Sequence, residues 1–226
     1  MISTGAGIST ESGIPPFRGS GGLWQNFKPE DLATPEAFER DPVTVWQWYD
    51  WRRQLISKVE PNAGHYALVE MEHLFHRFFL FTQNIDGLHQ RAGSKQVHEL
   101  HGNIWRVRCP AEDRTFVLAQ TPLPGIPPLC ECGATLRPDV VWFGESLPRD
   151  ILNLAREVAS SCDFFFTIGS SSTVEPAASL AWIARENGGV VVEVNEEITP
   201  VTEIANECFL GKAGTVLSDL LQAIKK

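Results

Sequence analysis

Short, uninterrupted apolar runs alternate with longer amphipathic stretches along most of this chain. Residues 78–82, 164–168 and 190–194 are β-rich runs with no polar alternation, the pattern of strands buried on both faces of a parallel sheet. Residues 1–4 predict a further strand, very short for a central one. Between these runs the spacing predicts helices over 64–76, 151–160, 177–187 and 215–225. Strand alternating with helix implies a doubly wound, Rossmann-like α/β sheet. Gly169-Ser170-Ser171 and Asn195 fall just past predicted strands, where such sheets bind ligands.

Two stretches break the alternation. Residues 21–60 are helical in pattern and rich in tryptophan, and 104–136 hold three cysteines and a proline-rich run at 122–128. Within the first, Val45, Trp48, Tyr49, Leu55, Ile56 and Val59 recur at helical spacing over 43–60 and define one apolar face. Arg52 falls on that face, whereas Arg53 is expected to point aside. A guanidinium on an apolar wall needs an anion, either a ligand or an internal Asp or Glu, unless its stem packs and its head reaches water.

Composition narrows the class. With 226 residues and 43% hydrophobic content, the chain can bury one sizeable domain and a smaller appended module. A net charge of −9 argues against nonspecific binding to nucleic acid or anionic membranes and suits basic peptides. No apolar run reaches the roughly 20 residues of a membrane span, and Met1 is followed almost at once by a glycine turn, without a signal peptide. Five cysteines, an odd number, point to a reducing compartment, expected to be the cytoplasm. Cys162 and Cys208 adjoin apolar strand residues and are expected to be buried core thiols.

Three clusters carry candidate chemistry. Gly5-Ala6-Gly7-Ile8-Ser9 is a turn whose N–H groups could approach a pyrophosphate; without a third glycine it reads equally as a plain tight turn. Gln83-Asn84-Ile85-Asp86 supplies amides and a carboxylate for a ribose or a carboxamide. His101, paired with Gly102, is a base with a free pKa of roughly 6.5, and His98 is its nearby competitor. Val141-Trp142-Phe143-Gly144-Glu145 reads as a strand leading into a turn.

Together with 12–19, Arg137–Glu145, Gly169-Ser170-Ser171 and Val194-Asn195, these segments resemble the sirtuins, NAD-dependent protein lysine deacylases, in family order across nearly the whole chain. The resemblance implies a Rossmann-like NAD-binding domain from 1–20, 61–103 and 137–226. The small domain would combine a helical module, 21–60, with a zinc-ribbon-like module, 104–136. It places Gly5, Ala6, Gly7, Phe17, Arg18, Gln83, Asn84, Ile85 and Asp86 around NAD, with Gly169, Ser170, Ser171, Asn195 and Ala213 at its adenosine half. His101 becomes the base, aided by Asn84 and Asp86. Val141, Phe143, Gly144 and Glu145 form an edge that pairs with a substrate peptide by strand addition, opposite 172–176.

Tyr49-Asp50-Trp51-Arg52 matches the Tyr-x-x-Arg pair of the branch that removes succinyl, malonyl or glutaryl groups, where it grips the acyl carboxylate. The resemblance therefore implies removal of succinyl, malonyl and acetyl groups from lysine, with release of nicotinamide and O-acyl-ADP-ribose. Alternatives are a mono-ADP-ribosyltransferase of the same fold and an idle NAD- or peptide-binding module. Partners would be acylated lysine peptides or proteins, met by a monomer. The usual two Cys pairs for structural zinc are incomplete: Cys109, Cys130 and Cys132 remain, with Glu112 or Asp113 as a fourth ligand. The other reading is a degenerate ribbon held by packing and prolines.

Overall fold

The structure, a computed structural model, describes residues 1–17, 22–23 and 28–226. Among the described residues nine strands form two sheets: β1 (Ile2–Thr4), β2 (Leu80–Thr82), β3 (Val97–Glu99), β4 (Gly102–Cys109), β5 (Arg114–Val117), β6 (Arg137–Val140), β7 (Phe164–Ile168), β8 (Val190–Asn195) and β9 (Glu207–Leu210). The helices are α1 (Pro29–Leu32), α2 (Pro35–Arg40), α3 (Pro42–Ile56), α4 (Ala63–Leu74), α5 (Leu88–Ala92), α6 (Arg149–Ala159), α7 (Ser179–Glu186) and α8 (Ala213–Ile224).

The larger sheet has the order β3-β2-β1-β7-β8-β9, with every pairing parallel. Its strands feed both faces. Phe81, Phe165 and Val191 pack on one side with Ala155 of α6 and Leu180 of α7. Leu80, Ile168 and Val194 pack on the other with Leu68 of α4 and Leu217 of α8. That two-sided burial is why these runs are apolar at successive positions. The chain leaves β1 in one direction and β7 lies on the other side of it, so the topological switch falls between them.

Glycine lets the two turns at that switch touch. A Cβ on Gly7 would sit 2.7 Å from Gly169 Cα, and one on Gly5 would sit 2.7 Å from Ser170 Cα. Gly5-x-Gly7 is therefore required by main-chain packing alone, whatever ligand approaches it.

The smaller sheet is antiparallel, β5-β4-β6. Its core is shared with α3, in which Val45, Trp46, Trp48, Tyr49, Asp50, Arg52, Arg53 and Ile56 are all buried while Val43 and Trp51 stay exposed. Two expectations are corrected. The helix ends at Ile56, not at 60. Arg53 does not point aside; its guanidinium donates to the Leu118 and Gln120 carbonyls, the latter at 2.8 Å. Trp46 Nε1 likewise donates to Leu136 O at 2.7 Å, and Asp50 accepts from Leu123 N at 3.0 Å. These polar groups are internal because main-chain partners far along the chain reach them.

Other boundaries differ too. The strand expected through Val141 and beyond ends at Val140, and 141–145 is a turn closed by Glu145 N donating to Trp142 O at 3.0 Å. Cys208 is exposed because β9 is an edge strand, and Cys162 is half-buried. No helix among the described residues is long and apolar enough to cross a membrane.

Candidate active site

His101 stands where the two sheets meet: β3 ends at Glu99 and β4 begins at Gly102. Gly102 adopts φ 78°, and a side chain there would collide with the Asp139 carbonyl of β6. The His-Gly pair thus has a backbone cause. His101 O accepts from Val141 N at 3.0 Å, which fixes the ring beside the 141–145 turn. Its Nδ1 lies 3.0 Å from Gln83 O. A carbonyl only accepts, so Nδ1 carries the proton and Nε2 keeps its lone pair. Burial lowers the His101 pKa, partly opposed by the bond to Gln83, and the neutral base is the form present at pH 7. His98, the competitor, stacks on Phe81 at 4.8 Å between centroids and does not reach this cleft.

A cleft of about 960 Å³ opens between the switch turns, the 141–145 turn and α3. Gly5, Ala6, Gly7, Phe17, Tyr49, Gln83, Asn84, Ile85, His101, Val141, Phe143, Gly144, Glu145, Gly169, Ser170, Ser171 and Asn195 all line it. Asp86, Arg52 and Ala213 do not. Ala213 is packed into the core at the start of α8, beside Gly214, whose N–H donates to Glu11 at 2.6 Å. Arg18 lies outside the described residues.

The polar floor is held together by Ser9, to which the sequence reading assigned no role. Its hydroxyl donates to Asp86 Oδ2 at 2.8 Å and accepts from Asn84 Nδ2 at 3.2 Å. Asn84 Nδ2 also reaches Gly5 O at 3.1 Å, and Asp86 Oδ1 accepts from Leu88 N at 2.8 Å. Burial pushes the Asp86 carboxyl up, against the pull of Leu88 N–H, the Ser9 hydroxyl and Arg52. At the far end Gln83 donates to Ser170 Oγ at 3.2 Å and Asn195 to Ser170 O at 2.9 Å. Ser9 sits inside the glycine motif, so only its position was legible.

On the α3 wall, Tyr49 Oη accepts from Trp142 Nε1 at 2.9 Å, which leaves its own O–H to donate. Burial raises the Tyr49 pKa, so it stays a phenol. Arg52 is 2% exposed, with its guanidinium 4.7 Å over the Phe17 ring and 5.7 Å over that of Trp48. Its Nε and Nη1 are buried without a hydrogen-bond partner, and it has no ion pair among the described residues. Burial lowers its pKa to about 10 although Asp86 and Tyr49 pull it back up, so it is cationic at pH 7. The two rings it lies over, Phe17 and Trp48, both line the cleft, whereas Arg52 does not.

In the ribbon, ligand atoms of Cys109, Glu112, Cys130 and Cys132 lie within 4.8 Å of one another. Cys109 and Cys132 sulfurs are 3.5 Å apart, and Cys130 Sγ is 3.6 Å from Glu112 Oε2. Tetrahedral zinc with Zn–S of about 2.3 Å needs sulfurs roughly 3.8 Å apart, so this donor set could hold structural zinc. Asp113, the other proposed fourth ligand, is not in the group.

With the geometry in place, comparison with known proteins is decisive. Residues 5–176 match the Sir2 family model. The chain belongs to the Sir2 family. A relative from Aquifex aeolicus, an NAD-dependent protein deacylase, is 58% identical over 224 residues, covering 99% of this chain and 94% of the relative. A Sir2 homologue bound to ADP-ribose superimposes with a TM-score of 0.96 at 44% identity, covering 100% of this chain and 91% of that one. A Sir2 complex with a p53 peptide and NAD+ gives 0.89 at 33% identity, covering 99% and 92%. In this Sir2-family chain the cleft lies at the switch point of the sheet, beside the only histidine whose ring enters it among the described residues.

Proposed function

We propose that this chain is an NAD-dependent protein lysine deacylase that removes succinyl and malonyl groups as well as acetyl, with a preference for acidic acyl chains. The family supports the reaction class, and one observation supports the acyl class: Arg52 is a buried cation with unpartnered Nε and Nη1. Such a charge is costly to leave without an anion. A planar guanidinium can bind a carboxylate through two parallel hydrogen bonds, and Tyr49 O–H can donate a third.

NAD supplies an electrophilic ribose carbon and a nicotinamide leaving group. The chain's residues do the rest. The glycines of the switch turns open the phosphate end of the cleft, although the Gly5 and Gly7 N–H groups themselves are spent on the Ile168 and Gly169 carbonyls. Ser9 holds Asn84 and Asp86, which would meet the ribose and carboxamide. His101 Nε2 accepts the proton of a ribose hydroxyl as the acyl group moves to the sugar. Val141 O accepts the substrate lysine N–H, with 141–145 and 172–176 as the two walls of the peptide. The Val141, Phe143 and Glu145 N–H groups are already bonded to the His101, Ala33 and Trp142 carbonyls.

The test is turnover of one peptide carrying acetyl- or succinyl-lysine, following nicotinamide and peptide mass together. The expected result is NAD-dependent loss of succinyl at higher kcat/KM than acetyl. Arg52→Met should cut desuccinylation by about tenfold to a hundredfold, the range for a lost charge-assisted bond, and deacetylation far less. Equal loss on both substrates would return Arg52 to a structural role. Nicotinamide release with neither acyl group lost would instead indicate ADP-ribosyl transfer or NAD hydrolysis.

A further inference from the structure

Two histidines take no part in the site above, yet their hydrogen bonds lead into it. His65 in α4 and His89 in α5 are 0% and 1% exposed, and their rings lie 4.9 Å apart between centroids. Each ring has one partnered and one unpartnered nitrogen. His65 Nδ1 accepts from Asn62 N–H at 3.2 Å, so a neutral ring carries its proton on Nε2, which is buried without a partner. His89 Nε2 is 3.0 Å from Thr4 Oγ1. The Thr4 hydroxyl donates to Thr82 Oγ1 at 2.9 Å, so its oxygen must accept from His89. That places the His89 proton on Nε2 and leaves Nδ1 as a buried, unpartnered acceptor.

One ring carries the unpartnered donor and the other the unpartnered acceptor, with 4.9 Å between the ring centroids. The two atoms are not bonded as they stand; a small rotation of either ring would pair them, and buried polar groups demand such satisfaction. With that pairing made, donors would run one way from Asn62 N–H through His65, His89 and Thr4 to Thr82 Oγ1. Thr82 Oγ1 ends the line and also accepts from Asn84 N–H at 3.0 Å. At its start, the Asn62 side chain donates to Ile8 O at 2.7 Å and Ser12 Oγ at 2.9 Å, within the segment after the glycine turn.

We propose that His65 and His89 form a neutral-imidazole relay that locks the end of β1 against the end of β2 and so positions Asn84. They are positioning residues and touch no substrate. The relay requires both rings to remain uncharged with the proton on Nε2, because a second proton on either ring places two donors face to face. Burial lowers both pKa values, that of His65 to about 4, in keeping with that requirement.

The spectroscopic test does not depend on the deacylase reading; the kinetic test does. Nitrogen-15 NMR of histidine-labelled protein should show both rings as fixed Nε2–H tautomers that do not titrate from about pH 7.5 to about pH 5.5, across the ordinary histidine range. An Nδ1–H tautomer, or titration of either ring in that window, overturns the relay. In turnover, His89→Gln keeps an N–H near the Nε2 position and His89→Leu removes it. His89→Leu should lower kcat about tenfold with the peptide KM unchanged, and His89→Gln should recover most of it. A folded His89→Leu protein with wild-type kcat refutes the positioning role. If His89→Leu fails to fold, or the wild type transfers no acyl group, the tautomers decide alone.

Discussion

At His101 a single contact sets the tautomer. Gln83 O holds the proton on Nδ1 and burial keeps Nε2 unprotonated. A base acts in its deprotonated form, so the lowered pKa moves the acid limb of kcat/KM below the free value of roughly 6.5. A midpoint above that value would remove His101 from the limb. His101→Tyr should leave the fold intact and lower turnover by about 10² to 10⁴, the range for a lost general base; circular dichroism beside the assay separates the two effects. At this scale the sequence was informative wherever a residue type does one job. His101, Asn84 and Gly5-x-Gly7 stood out for that reason. Ser9 did not, since a serine after a glycine turn becomes a bridge only when Asn84 and Asp86 arrive from another strand.

Elements were legible where burial is two-sided or cleanly one-sided. Continuous apolar runs located β2, β7 and β8, and amphipathic spacing located α4, α6, α7 and α8 to within a few residues. α3 was located as well, but its full buried set was not, because three of its polar or aromatic side chains turn inward to main-chain groups of 118–136. No periodicity encodes a partner that distant. The contact is testable: Asp50→Ala strands the buried Leu123 N–H and should cost about 1–3 kcal/mol in urea unfolding, and a change within error would place that N–H in water. α4 and α5 carry a second prediction. With a folded pKa of about 4 against an unfolded value near 6.5, the unfolded chain binds the extra proton first. His65 therefore favours the fold above about pH 6.5, and that contribution is lost as pH falls towards 4. Tm should drop over that interval, and His65→Leu, if folded, should flatten the drop.

The whole molecule joins a parallel sheet, at whose switch point the cleft lies, to an antiparallel sheet that shares its core with α3, with Arg106 spanning them through Glu99 at 2.6 Å and Asp139 at 2.8 Å. If zinc occupies Cys109, Glu112, Cys130 and Cys132, a strong chelator should lower Tm and loosen the 118–136 segment in hydrogen exchange, while β7 and β8 stay protected. Uniform exchange before and after chelation would mean a ribbon held by packing alone. The switch turns have the opposite character. Gly5 and Gly7 meet Gly169 and Ser170 main chain to main chain, a contact with no side chain to resize. Variation has nowhere to enter at that end of the cleft, so new substrate ranges on this scaffold must be written across the cleft, in α3 and the turn that faces it.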